Sequence, residues 1–325
     1  MKDFIMDASV RLVCNYRDLP FHADKEEELA HRVTERVSIA LERSGDAYAY
    51  LMPEGMQEEN KRRLSEKRLL HPDTDAAPYS VLYLRMDEKV SVQTALADHA
   101  VISVHSPEGD LLACQQTARQ IRRQLAETGS LAYDDDYGYL TAHPCDAGTG
   151  MRCSVLLHLP MLQLTRQMEK TKRKALSEGA VLRPASNDLN QVMGNLYLLE
   201  NRAALGKNAE DMAADVLKIA DQIVRIEKQC REIAKEKTDE VALDAVWRAY
   251  GIAQYVRCIT KKDAMNLWSH LSLGTALEAY QLSEQALSGM WDAACGTIEQ
   301  KQDEKPVHPD VLRARKIRAL INGGE

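Results

Sequence analysis

Apolar residues recur at helical spacing soon after the chain begins. Leu29, Val33, Val37, Ala40 and Leu41 line one face, and Gly45 follows as a stop. Just ahead of them, Asp24-Lys25-Glu26-Glu27 reads as a capping box, an aspartate N-cap with a glutamate three residues on. The pattern then alternates over 47–52, as a strand does, and returns to a charged amphipathic helix over 57–70 that ends in the turn His71-Pro72-Asp73. Three strand-like runs follow at 79–85, 89–94 and 100–105, the last two close enough to pair as a hairpin. A helix over 110–127 closes at Gly129, a short strand occupies 137–141, and Gly148-Thr149-Gly150 punctuates a loop. A basic helix over 161–178 stops at Gly179, and a strand covers 192–200. From Asn208 the period is almost wholly helical, through 211–237 and 241–259. A polar linker at 299–305 with Pro306 precedes a last amphipathic helix over 311–321.

Strands mixed with long helices, without strict alternation, predict an α+β fold. An antiparallel sheet flanked by helices is expected over about 75–205, which divides the chain into 1–205 and a helical C-terminal region, 206–325. That region is expected to form a second layer or a dimerising surface, so a homodimer stays open.

Composition narrows the classes. A chain of 325 residues is long enough to bury a core without covalent staples, and 45% hydrophobic with 28% charged residues excludes wholesale disorder. Aromatics are only 5%, with Phe4 and Phe21 the sole phenylalanines, so the core must be aliphatic. A net charge of -7 argues against a dedicated nucleic-acid binder. No stretch approaches the length of a membrane-spanning helix, and the start lacks the apolar run of a secretion signal. Seven scattered cysteines without a CxxC pair point to a reducing, cytoplasmic setting rather than a disulfide framework.

Candidate chemistry concentrates in 137–160, which reads YGYLTAHPCDAGTGMRCSVLLHLP. This resembles the signature of the ATP:guanido phosphotransferases, and most the bacterial protein-arginine kinases, whose version is GYLT-x-CPTN-x-GTG-x-RASV-x-x-HLP. Val10-Arg11-Leu12 and Asn15 resemble the family's SSRIRLARN segment, and Val90-Ser91-Val92 with Asp98-His99 its VSV…NEEDH-x-R. Gly194-Asn195-Leu196, Leu205-Gly206-Lys207, Arg248-Ala249-Tyr250-Gly251 and Leu273-Gly274 continue the match in register. The resemblance implies a guanido-kinase catalytic-type domain over 1–205. It also implies phosphoryl transfer from ATP, with magnesium, to a guanidinium.

Such transfer needs several arginines around the triphosphate and carboxylates that hold the guanidinium and accept its proton. Against the family pattern, those groups are depleted. Ser9 and Cys14 stand where it has basic residues, and Val101 replaces a phosphate arginine. Leu96 and Ala97 replace both glutamates, His143 replaces the reactive cysteine, and Asp146 an asparagine. The glycine-rich loop reads Arg183-Pro184-Ala185-Ser186-Asn187-Asp188-Leu189-Asn190-Gln191, with Gln191 where a substrate-holding glutamate is expected. No residue is assigned a catalytic role on this reading. The resemblance implies a remnant anion or nucleotide site of Arg11, Arg152, His99 and Arg183, helped by backbone N–H groups of the Gly-Thr-Gly turn. ATP and magnesium are implied only if nucleotide binding persists.

Blander readings stand beside these. Arg11 and Arg152 could serve structural ion pairs, and Asp98 with His99 could be a buried, satisfied pair. His143 and Cys145 could form a reactive imidazole–thiol couple, although no third orienting group is evident. His143, Cys145, Cys153 and His158 lack any usual zinc spacing, so no metal is expected. Arg313, Arg315, Lys316 and Arg318 behind Asp310 occupy the region where the resemblance implies a phosphoarginine pocket, or else form a solvated basic face, as 170–174 does. The leading expectation is a protein-arginine-kinase-like pseudokinase. It would act by binding a protein partner or phosphorylated ligand: an active kinase, an adaptor or a component of Clp-linked quality control. The alternatives are an active arginine phosphotransferase using Asp98 or Asp188, and a thiol enzyme built on Cys145.

Overall fold

The first strand is one that the hydrophobic pattern does not announce. The computed structural model describes residues 4–186, 191–206, 208, 210–296 and 307–323. It opens with β1 (Ile5–Cys14), followed by α1 (Glu27–Ser44), β2 (Tyr48–Leu51) and α2 (Glu58–Glu66). Next come β3 (Val81–Arg85), β4 (Val90–Thr94), β5 (Ala100–Ser106), α3 (Leu111–Ala126) and the two-residue strands β6 (Tyr133–Asp134) and β7 (Gly138–Tyr139). The long strand β8 (Met151–His158) leads to α4 (Pro160–Leu164), α5 (Met168–Ser177), β9 (Ala180–Pro184) and β10 (Leu196–Asn201). Helices complete the chain: α6 (Met212–Lys237), α7 (Glu240–Tyr255), α8 (Lys261–Ala276), α9 (Glu284–Cys295) and α10 (Pro309–Ile321). Among the described residues no helix is long and apolar enough to cross a membrane.

Eight strands form one antiparallel sheet in the order β2-β3-β4-β5-β1-β8-β10-β9. The expected class is therefore observed, with β4 and β5 paired as the hairpin. The sheet does not begin near residue 75, however. Its centre is β1 against β8, and neither strand stands out by alternation because both carry buried residues on both faces. The expected capping box is also absent: Glu26 is the N-cap of α1 without a side-chain bond, while Asp24 N–H donates to the Leu96 carbonyl. The single helix expected over 161–178 is two, separated where Arg166 turns to φ 57°, and α2 stops at Glu66 before Arg68 adopts φ 57°.

Period two divides each strand between two faces. Val10 and Leu12 of β1, Ile102 of β5, Val155 and Leu157 of β8 and Leu199 of β10 meet α1, α3 and α6 through Val33, Val37, Ala118, Leu125, Val216, Ala220 and Val224. On the opposite face, Leu64 of α2 with Leu69 and Leu70 covers Leu82 and Leu84 at one end. At the other end, helices α7 to α10 cover Leu156, Leu196 and Leu198 with Trp268, Leu271, Met290 and Ile317. Between these two covers, the middle strands carry Ser9, Arg11, Ser103, Arg152 and Ser154, all at positions that alternate with core residues. A stretch of sheet left without an apolar cover and set with polar side chains is a cleft floor.

Candidate anion site

Arg11 on β1 and Arg152 on β8 are directly opposed in the antiparallel register. Like charges in that position repel, so the pair needs a counter-charge. Arg152 has one: its Nη2 donates to Asp146 Oδ1 at 2.7 Å, and the two side chains are only 29% and 9% exposed. Burial acts to lower the pKa of Arg152, but the hydrogen bond and charge of Asp146 outweigh it and the net shift is upward. Arg11 has no such partner. Among the described residues no hydrogen bond or ion pair reaches its guanidinium, and burial together with the charge of Arg152 pulls its pKa down against the weaker pull of Asp146, Glu200 and Asp73. A half-buried, unpaired guanidinium beside a second one is an arrangement that an oxyanion relieves.

Two of the three amide donors expected of the Gly-Thr-Gly turn are spent on neighbouring carbonyls. Gly148 N–H donates to the Tyr139 carbonyl at 3.1 Å and Thr149 N–H to the Ala204 carbonyl at 3.4 Å. Gly148 adopts φ 103°, and a Cβ there would lie 2.7 Å from the Ala204 carbonyl oxygen, so only glycine fits. From α3, buried Arg122 donates to the Thr149 carbonyl at 2.8 Å and stacks over the Tyr139 ring at 4.1 Å. Arg122, which the motif reading misses, thereby ties α3 to the turn.

The other expected site residues are dispersed. Arg183 on β9 reaches toward the row but is neutralised by Glu200 of β10 at 2.8 Å. His99 lies elsewhere, with both ring nitrogens engaged: Nδ1 accepts from Tyr16 N–H at 2.9 Å and Nε2 meets the Pro20 carbonyl at 2.6 Å, between the rings of Tyr16 and Phe21. Its neighbour Asp98 accepts from Asn15 Nδ2 and Ala142 N–H, both at 2.7 Å, and ties the loop after β7 to β1. Cys145 is exposed, with its sulfur 3.6 Å from Arg152 Nη2, and His143 is exposed with its carbonyl accepting from Asp146 N–H. Among the described residues no hydrogen bond joins the His143 ring to Cys145. Cys153 belongs to the core face while His158 faces the other way, its Nε2 2.7 Å from Ser269 Oγ. Among the described residues no three His, Cys, Asp or Glu side chains converge to hold a metal.

Where the resemblance implies a glutamate and a further arginine, Leu96 and Val101 pack with Val13 and Ala77 as a small apolar cluster. Ser9 is hydrogen-bonded to Ser154 at 2.8 Å and accepts from Arg68 Nε at 2.7 Å. Arg68 thus brings a guanidinium over the serine from a separate segment, but Asp7 neutralises it. Gln191 Oε1 accepts from Lys262 Nζ at 3.0 Å, and Asp188 lies outside the described residues. Arg313 is buried and donates to the Ala293 and Ile259 carbonyls and to Asp310, which pins α10 to α9 and to the segment before α8. Arg315 and Lys316 are exposed.

A residue without a sequence signal also belongs to the cleft. His71 N–H donates to Gln93 Oε1 at 2.9 Å, and the Gln93 amide donates to Thr74 Oγ1 at 3.0 Å and Ser80 Oγ at 2.8 Å. Gln93, buried on the cleft face of β4, therefore straps the segment carrying His71 over the sheet.

Comparison with known proteins places this geometry. Residues 28–230 match the family model of the ATP:guanido phosphotransferase C-terminal catalytic domain, and 239–324 match that of the protein-arginine kinase McsB C-terminal domain. The protein-arginine kinase of Bacillus thuringiensis subsp. konkukian is 30% identical over 98% of this chain and 92% of its own. That of Shouchella clausii is 32% identical over 85% and 78%. Among solved structures, the duplicated taurocyamine kinase from Schistosoma mansoni superposes with a TM-score of 0.63 at 21% identity. The match covers 71% of this chain and about a third, 34%, of that longer one. Lombricine kinase superposes at 0.60 with 16% identity, over 74% and 70%. These two share the fold.

Proposed function

The chain belongs to the ATP:guanido phosphotransferase family, and we propose that this protein binds a phosphoryl-type anion at Arg11 and Arg152 without transferring it efficiently. One observation carries the reading: among the described residues, an unpaired guanidinium stands in a cleft where no carboxylate is hydrogen-bonded to it. Asp146 is engaged by Arg152, Glu200 by Arg183 and Asp98 by Asn15 and Ala142. Leu96 and Val101, where the family pattern has a glutamate and a phosphate arginine, lie in an apolar cluster, and Ala97 stands where it has the second glutamate. Losing a general base costs about a hundred- to ten-thousand-fold in rate. The donor set also fits ATP with magnesium poorly, because one unneutralised guanidinium cannot balance a triphosphate. The same proposal makes the phosphorylated group part of a protein partner, whether an active kinase, an adaptor or a Clp component.

Two charge-assisted contacts of about 1.5–3 kcal/mol each support affinity of roughly millimolar order. Calorimetry with inorganic phosphate should show weak, salt-sensitive binding that disappears in the double variant Arg11→Ala, Arg152→Ala. ATP with magnesium should bind little better. Tight, magnesium-dependent ATP binding would instead favour an active phosphotransferase.

A further inference from the structure

The anion reading assigns nothing to His71, a titratable side chain on the segment strapped over the cleft. Its side chain is 14% exposed and sits where Gln93 holds the backbone against the sheet. Nδ1 accepts from Asp73 N–H at 3.2 Å, so the proton of the neutral ring is on Nε2, which has no partner among the described residues. The charged and titratable groups around it are Arg11 from β1, His143 and Asp146 from the loop before β8, and Asp73 on its own segment. Arg152 stands across from Arg11.

Resting on the anion-site reading above, we propose that His71 is a proton-coupled ligand of that site, neutral in the free protein and protonated when a divalent oxyanion sits beside Arg11. In the free protein, burial first and the charge of Arg11 second hold the imidazole down to about 4. An oxyanion on Arg11 cancels the second effect and adds an attraction of its own. Nε2 carries a hydrogen in either state and has no partner among the described residues, so it is available to an anion. On protonation Nδ1 gains a hydrogen as well, and the Asp73 carboxylate, with Oδ2 3.8 Å away, is placed to receive it. Asp73 would then change from a backbone donor toward Nδ1 into a charge partner for it. Binding therefore takes up a proton, and affinity must rise as pH falls from neutrality toward the pKa of the free protein.

The test uses sulfate, whose charge is constant across the range, so that only the protein titrates. Calorimetry should show binding about tenfold tighter near pH 5.5 than near pH 7.5. His71→Gln should flatten that dependence to under about twofold, while His143→Gln keeps it. In the unaltered protein, NMR should show the His71 ring titrating roughly two to three units higher with saturating sulfate than without, the shift that a tenfold change requires. A His71→Gln variant with the original pH slope, or a His71 ring indifferent to sulfate, overturns the inference. Sulfate binding that requires Arg11 and Arg152 but ignores pH overturns only the role of His71. Sulfate binding that survives loss of both arginines, or no binding at any pH, removes the anion site itself and His71 with it.

Discussion

Replacing Asp146 with asparagine should weaken the fold and strengthen anion binding at once. The amide can still accept from Arg152, but the single negative charge in contact with the Arg11–Arg152 pair is gone. A hydrogen bond to a charged group contributes about 1.5–3 kcal/mol, and part of it remains with the amide, so a loss of about 1–2 kcal/mol of stability is expected. Repulsion between the opposed guanidiniums adds to that loss. For a divalent anion held by those guanidiniums, removing a unit charge roughly 7 Å away in this half-buried cleft is worth about 1–2 kcal/mol even at a dielectric close to that of water. That corresponds to an affinity gain of about five- to thirtyfold. Urea denaturation and phosphate calorimetry on Asp146→Asn read the two effects separately. Added phosphate should restore much of the lost stability, since a ligand that binds only the folded state stabilises it by mass action. Weaker phosphate binding in Asp146→Asn would refute the reasoning. It would mean that Asp146 matters by fixing the position of Arg152 and not by neutralising it.

Three further outcomes test the account away from that pair. His71, His99 and His158 are all pushed below the ordinary histidine value chiefly by burial. Their folded pKa values lie below the unfolded value of about 6.5, so stability is intact above it and falls with pH by up to about 1.4 kcal/mol per unit for each. Urea midpoints between about pH 7 and pH 5 measure this, and a flat profile contradicts it. Glu227, fully buried, accepts from the N–H groups of Met161 and Leu162 and from Arg231 Nε. Glu227→Ala leaves Arg231 buried and uncompensated, so a loss of about 3–5 kcal/mol is expected in thermal unfolding, with a loss under about 1 kcal/mol as the refuting result. Gly148→Ala forces a Cβ into the Ala204–Leu205 backbone and should remove phosphate binding while costing about 2 kcal/mol or more. Unchanged calorimetry in that variant would show that the turn does not set the place of Arg152.

What the residues reveal on their own follows from how many faces each element buries. Helix α1 is legible because one side is solvated, which leaves a one-sided period. The β4–β5 hairpin is legible because its strands are short and close in sequence. Strands β1 and β8 are not, because α1, α3 and α6 bury one face while the cleft and its covers hide the other. Only the family resemblance draws attention to Arg11 and Arg152, and their opposition is a matter of register between strands far apart in the chain. The same resemblance misleads for His99, since a matching residue type does not reveal that Tyr16 N–H and the Pro20 carbonyl occupy its ring. Gln93, His71 and Arg68 leave no local signal because their roles arise from contacts between a connecting segment and a sheet face.

The central claim is that this guanido-kinase fold holds a phosphoryl anion without passing one on. Incubation of the purified protein with ATP, magnesium and an arginine-rich protein, followed by mass spectrometry for phosphoarginine, tests it most directly. The account predicts no phosphoarginine above a no-enzyme control while phosphate binding remains measurable in the same preparation. Abundant ATP-dependent phosphoarginine that vanishes in Arg152→Ala would contradict it.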